Sequence, residues 1–261
     1  MGAKFDVFLP CAPKDHMKLP YVIESVANNI PDIGNIFIVT PTEIPSDIQD
    51  RISVMYYVFW DINILPGVDR SGWKYRPNWS FQQHAKLFQD ITSDWYLTLD
   101  CDTIINREIR MFDGDTPVCW HGWEQNVEQY FKFQREMIGI GRLADFTFIA
   151  DMNLFYRPII AEMLERNGYT IKTFCEKSQR IIDKDCWIGE PELYGNYCYK
   201  YHRDLYKYKQ LKQAQLDGRA QYDECDAMYT DRDIKRMIRR IKDQDIDTFS
   251  FHSWLMEDGI K

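Results

Sequence analysis

A chain of 261 residues, 45% of them hydrophobic, is long enough to bury a full core and suits one elaborated α/β domain better than two independent ones. Its formal net charge of -8 excludes a general nucleic-acid binder, because phosphate backbones are held by clustered Lys and Arg. No stretch reaches the roughly eighteen uninterrupted apolar residues of a membrane span, so no transmembrane segment is expected.

Residues 5–9 (Phe-Asp-Val-Phe-Leu) read as a buried strand, followed by a loop over 10–18 and an amphipathic helix through 21–26. The strand signature recurs at 35–39 and, with β-branched and aromatic residues, at 54–59. Residues 79–91 predict a helix opened by Ser80, and 95–99 (Trp-Tyr-Leu-Thr-Leu) a strand that delivers Asp100 to its end. Further on, 116–120 predict a short strand, while 128–138 and 159–167 predict helices, the second stopped by Gly168. The polar segment 199–240 predicts exposed helices around a loop at Asp217-Gly218. Alternating strands and helices favour a largely parallel sheet, whose ligands lie beyond the carboxyl ends of the strands.

The seven cysteines include no CxxC pair and sit in apolar or mixed stretches, which fits a reduced, cytoplasmic protein without a disulfide framework. Aromatic residues make up 15% of the chain, with 8 Trp and 16 Tyr. That suits a cleft for ring-shaped ligands, and an aromatic-rich core is the competing reading.

Six Asp-x-Asp triplets occur, at Asp100/Asp102, Asp113/Asp115, Asp183/Asp185, Asp231/Asp233, Asp243/Asp245 and Asp245/Asp247. Only Asp100 and Asp102 directly follow a long hydrophobic strand, where buried charge demands a cation or hydrogen bonds. Two carboxylates separated by one residue, here Cys101, supply oxygen ligands to a hard divalent cation and leave room for phosphates. Gln83 and Lys86 share one face of the preceding helix, where they reach a nucleotide or form a surface pair. Trp120-His121-Gly122-Trp123 sets two indoles around a glycine, either as a platform for a sugar face or as core packing.

The run Trp95-Tyr96-Leu97-Thr98-Leu99-Asp100-Cys101-Asp102-Thr103-Ile104 resembles the Asp-x-Asp strand of the GT-A glycosyltransferases. The likeness extends, less tightly, from Phe5-Asp6-Val7-Phe8-Leu9-Pro10 through Trp79-Ser80-Phe81-Gln82-Gln83-His84-Ala85-Lys86-Leu87 to Phe249-Ser250-Phe251-His252-Ser253-Trp254. It implies a single Rossmann-like α/β domain over 1–261 with a mainly parallel sheet flanked by helices. Residues 1–105 would form the nucleotide-sugar half and 106–261 the acceptor half, ending in a metal-ligand segment.

The resemblance further implies Mn2+ or Mg2+ held by Asp100, Asp102 and His252, a nucleotide-sugar donor with UDP first among the nucleotides, and a glycan or other hydroxyl acceptor. Pro10 and Asp15 resemble the edge that meets base and ribose, a solvated turn being the alternative for Asp15. Asp151, in Phe148-Ile149-Ala150-Asp151-Met152-Asn153, resembles an acceptor-side residue. An inverting transfer also needs a general base. Glu190 and Glu192 at a helix start fit it, with Pro191 at the first helical position and Glu190 as the cap, and two plain capping carboxylates are the alternative. Their segment resembles the Ser-Glu-Tyr-x-Leu-Tyr-Gly stretch of some relatives, from which Gly189 and Pro191 depart while Glu190 matches the acid, so the resemblance implies Glu190 as the base before Glu192. The rival readings are a metal-dependent phosphatase, whose Asp-x-Asp-x-Thr register Thr103 and Ile104 do not match, and a non-catalytic carbohydrate-binding protein. Nothing in the sequence fixes an oligomeric state.

Overall fold

The computed structural model describes residues 4–122, 127–216 and 230–251. In chain order the elements are β1 (Phe5–Pro10), α1 (Leu19–Asn29), β2 (Ile33–Thr40), α2 (Ser46–Gln49), β3 (Tyr57–Trp60), α3 (Pro77–Phe88), β4 (Trp95–Leu99), β5 (Thr103–Ile105), β6 (Phe112–Asp113) and β7 (Thr116–His121). There follow α4 (Glu128–Ile138), β8 (Met152–Tyr156), α5 (Arg157–Arg166), α6 (Ile171–Ile181), α7 (Glu190–Tyr201), β9 (Lys207–Gln210), β10 (Gln213–Leu216), α8 (Asp231–Ile241) and β11 (Thr248–Phe251).

The central sheet runs β3-β2-β1-β4-β8, parallel throughout except for the antiparallel edge strand β8. Side chains alternate across it with the two-residue period of a strand. Phe5, Val7 and Leu9 of β1, with Leu97 and Leu99 of β4, face one apolar cluster that takes in Leu19, Val22 and Val26 of α1 and Phe249 and Phe251 of β11. Phe8, Tyr96 and Phe155 face the other cluster, with side chains of α3 to α7. Burying a side chain such as Phe8, which is 0% exposed, stabilises the fold by about 1.5–3 kcal/mol. Asp6 is the one acidic residue inside β1, and it is satisfied there: Oδ1 accepts from the Asn35 N–H at 2.8 Å and Oδ2 from the Ser93 N–H at 2.6 Å.

Two small sheets flank this frame, β10-β11-β5 and β6-β7-β9. The first matters for function, because β5 follows Asp102 directly and β11 lies antiparallel to it, pairing Ser250 with Thr103. The chain leaves β1 toward β2 on one side and later returns to pair β4 on the other, with Phe8 opposite Thr98. The carboxyl ends of β1 and β4 thus open on the crevice where strand order reverses, the place at which open α/β sheets bind ligands.

Several sequence expectations shift. The segment 199–240 is not simply helical: α7 ends at Tyr201, β9 and β10 follow, and α8 begins at Asp231. Lys207–Gln210 has the high polarity that suggested exposed helix, but its backbone pairs in parallel with β7. The loop at Asp217-Gly218 lies outside the described residues. Helix α3 starts at Pro77, not at Ser80, whose hydroxyl donates to the Tyr75 carbonyl at 3.1 Å. Strand β3 begins at Tyr57, not at residue 54. Among the described residues, no helix is long and apolar enough to cross a membrane.

Candidate active site

Strand β4 carries Asp100 to the crevice, and α3 supplies what meets it. Positions 79, 82, 83 and 86 recur at helical spacing and share one face of α3. Lys86 Nζ lies 2.9 Å from Asp100 Oδ1 and 3.0 Å from Glu190 Oε1, and Gln82 Nε2 donates to the same Asp100 oxygen at 2.9 Å. With its amide nitrogen oriented toward Glu190, Gln83 donates to both carboxylate oxygens, to Oε1 at 2.9 Å. The Tyr96 hydroxyl donates to the Lys86 and Leu87 carbonyls at 2.9 and 3.1 Å, which ties the end of α3 to β4.

The side chain of Lys86 is 7% exposed and that of Glu190 4%, so their pair is shielded from water, whereas Asp100 is 48% exposed. Burial alone would lower the Lys86 pKa, and the Asp100 and Glu190 carboxylates overcome it and hold the ammonium charged. Burial raises the Glu190 pKa, and the Lys86 charge opposes that rise. Glu190 is the first residue of α7, Gly189 is its cap and Pro191 is second, a shift of one position from the sequence expectation. Gly189 is demanded by space: a Cβ there would come within 2.8 Å of the Tyr130 ring.

Glu192 has a different environment. Its Oε1 accepts from the Thr147 hydroxyl at 2.5 Å and the Phe148 N–H at 3.0 Å, and Oε2 from Asn196 Nδ2 at 2.8 Å. These bonds tie α7 to the strand approach at 147–148 and occupy the carboxylate, so its geometry is that of a structural tether.

Beyond the turn after β4, Asp102 is buried, and its carbonyl accepts from the Phe251 N–H at 2.8 Å. Desolvation raises the Asp102 pKa well above the ordinary carboxylate range; the charges of Asp100, Asp15 and Asp151 add to the rise, and Lys18 opposes it. Lys18 Nζ donates to Asp15 Oδ1 at 2.7 Å and to the Phe251 carbonyl at 3.0 Å. Asp151 is pushed up to about 6 by burial, although the Thr248 hydroxyl donates to its Oδ2 at 2.7 Å. Cys101 is buried between the two aspartates, its thiol pKa raised by burial and by a hydrogen bond with Cys11. Pro10 closes β1 opposite Val39.

The charges of Asp15, Asp100 and Asp151 thus all bear on Asp102 near the mouth of the sheet. Among the described residues, no three His, Cys, Asp or Glu side chains form a ready metal-holding group. His252 and Trp123 lie outside the described residues. Trp120 and His121 sit in the third sheet: the Trp120 indole donates to the Arg110 carbonyl at 3.1 Å, and the His121 ring stacks on Phe146 at 4.0 Å. Sequence reasoning missed Lys18, Gln82 and the rings near Glu190; for Lys18 and Gln82 the signal was helical spacing from Asp15 and Lys86.

No family profile matches the chain, and none of the curated proteins compared with it matches in sequence. Solved structures do match in shape. Mouse xyloside xylosyltransferase 1, in its apo form, superposes with a TM-score of 0.50 at 10% identity, over 96% of this chain and 98% of that one. The fold is that of the GT-A glycosyltransferases. The galactosyltransferase LgtC, bound to donor and acceptor sugar analogues, superposes with a TM-score of 0.44 at 12% identity over 94% of this chain and 86% of that one. The bifunctional glycosyltransferase WbbM gives 0.46 at 12% identity, over 94% of this chain and 45% of that one.

Proposed function

We propose that the chain is a metal-dependent glycosyltransferase moving a sugar from a nucleoside diphosphate donor, UDP first among the candidates, to the hydroxyl of a glycan acceptor. The observation that carries this reading is the Asp100–Lys86–Glu190 network beside buried Asp102 at the switch point of a glycosyltransferase-like sheet. Asp100 and Asp102 would hold Mn2+ or Mg2+, with His252, whose chain neighbour Phe251 is bonded to the Asp102 carbonyl, as a further ligand. The cation supplies positive charge to the leaving diphosphate. Pro10 and Asp15 border the nucleotide, and Asp151 faces the acceptor side. Residues 1–105 and 106–261 serve as the donor and acceptor halves of one unit, and the free cysteines among the described residues fit a reducing, cytoplasmic setting.

Glu190 takes the proton of the acceptor hydroxyl as that oxygen attacks the anomeric carbon and the bond to the diphosphate breaks, which inverts the anomeric centre. Burial raises its basicity toward that task. A second reading rests on the donors already gathered at Glu190: Lys86 and Gln83 occupy its oxygens, which favours a carboxylate that grips donor hydroxyls in a retaining enzyme.

The test is incubation with UDP-, GDP-, CMP- and dTDP-sugars and Mn2+, measuring nucleotide release with and without sugar acceptors. Release from one donor class, lost in Asp102→Ala, supports the assignment. Hydrolysis of p-nitrophenyl phosphate with every donor intact would instead support a phosphatase, and inertness with both a non-catalytic carbohydrate-binding protein. The anomeric configuration of the product separates the two roles of Glu190.

A further inference from the structure

One turn along α3 from Gln82 and Gln83 stands Trp79, and around it the chain gathers rings that the proposed reaction does not use. Tyr75 stacks on Trp187 at 5.1 Å and 14°, Trp79 meets Trp187 edge-on at 6.3 Å, and Tyr130 approaches the same indole at 6.3 Å. All four residues are half-buried. The Tyr130 ring takes the space a side chain would need at Gly189, next to Glu190, which places this wall beside the Asp100–Lys86–Glu190 network. The Trp187 indole N–H is buried and has no hydrogen-bond partner among the described residues. A buried donor left in that state calls for a water or a ligand oxygen.

Arg76 is the charged member of the wall. Its guanidinium lies 4.9 Å from the Trp79 ring centroid, and it has no carboxylate partner among the described residues. Its backbone is left-handed, at φ 45° and ψ 59°, a conformation that non-glycine residues seldom adopt and that clusters at ligand clamps. Beyond Tyr75 the wall opens into a cleft of 590 Å³, where Lys74, Arg180 and Lys184 outnumber Glu176 and Asp183. On a chain whose net charge is -8, a cleft and wall in which cations outnumber carboxylates favour an anion.

We propose that Tyr75, Trp79, Tyr130 and Trp187, with Arg76 and the adjoining cleft, form an acceptor subsite for a sugar that bears an anionic group. The inference rests on the glycosyltransferase reading and deepens it by giving the chemical class of the acceptor. The sugar ring lies against the Trp79 side of the wall, and Arg76 pairs with a carboxylate or phosphate, the bidentate geometry for which guanidinium is suited.

The experiment is titration of the full chain, followed by tryptophan fluorescence, with methyl β-glucuronide, glucose 6-phosphate and the neutral methyl β-glucoside. At least one anionic probe should bind about tenfold or more tightly than the glucoside, and which one does so identifies the anion. Arg76→Asn, a residue that tolerates positive φ, should bring that probe down to the neutral level with an unchanged thermal melt, while Arg76→Lys keeps part of the preference. Trp79→Ala should weaken all three. Equal affinities, no binding by any probe, or a preference that survives Arg76→Asn would overturn the proposal. Because no turnover is read, a missing response to nucleotides defeats the transferase reading separately, and a missing anion preference defeats this one.

Discussion

Replacing Lys86 with Met removes the one cation from a buried network and leaves Glu190, 4% exposed, without its ion-pair partner. Removing one partner of a buried pair costs about 3–5 kcal/mol, because the remaining charge stays desolvated. The Asp100 arm adds little, since that carboxylate is 48% exposed and water screens it. For a chain of this size the loss corresponds to a fall in Tm of about 6–20 °C.

The pH dependence follows from Glu190. Its folded pKa is raised by burial above the ordinary 4.5, so its stabilising contribution is complete below that value and is lost as pH rises through the raised one. Without Lys86 the rise is larger, and the variant should lose more stability at pH 8 than at pH 5, where Glu190 takes up a proton. Differential scanning calorimetry of wild type, Lys86→Met, Glu190→Gln and the double variant at both pH values measures the coupling. The double variant should recover about 1–3 kcal/mol relative to the sum of the singles. A pH-independent penalty, or strict additivity, would refute the ion-pair account.

Glu192→Ala should lower stability by several kcal/mol, at about 1.5–3 kcal/mol for each hydrogen bond to its charged carboxylate, and spare nucleotide binding; selective loss of binding in a fully folded variant would contradict the tether role. At Gly195 a Cβ would come within 2.1 Å of the Phe148 ring, so Gly195→Ala should cost about 1–3 kcal/mol in a urea melt, and a neutral result would place the helix differently. If Asp100 and Asp102 hold the cation as proposed, divalent-ion uptake should weaken as pH falls, because desolvation raises the pKa of Asp102 and a cation binds its ionised form. Mn2+ titration by calorimetry between pH 5.5 and 8 checks the direction, and tighter uptake at the acid end would contradict it.

The centre of the sheet was legible because β1 and β4 are buried on both faces and read as apolar runs bounded by turn residues, Phe5–Pro10 and Trp95–Leu99. Lys207–Gln210 was not, because an exposed edge strand built of Lys, Tyr and Gln owes its conformation to pairing with β7, a long-range contact that local composition does not encode. The same reason hid the Asp100–Lys86–Glu190 network. Spacing put Gln83 and Lys86 on one helix face, but only the tertiary fold brings Glu190, 104 positions away, onto Lys86. Of the two glutamates of α7, the resemblance favoured Glu190 as the match to the family's acid; the Thr147 hydroxyl and the Phe148 N–H distinguish Glu192 from it in space. Gly189, a departure from the resembling motif, is explained by the Tyr130 ring that takes the space of a side chain.

The most direct test of the central claim is thermal stabilisation by UDP with and without Mn2+, in wild type and in Asp102→Ala. A native-state ligand at about 100 times its Kd stabilises by about 2.7 kcal/mol, well within reach of a melting curve. A shift that requires Mn2+ and disappears in Asp102→Ala is the result expected here, whereas an equal shift in both proteins, or none with UDP, GDP, CMP or dTDP, would contradict a metal-held nucleotide at this site.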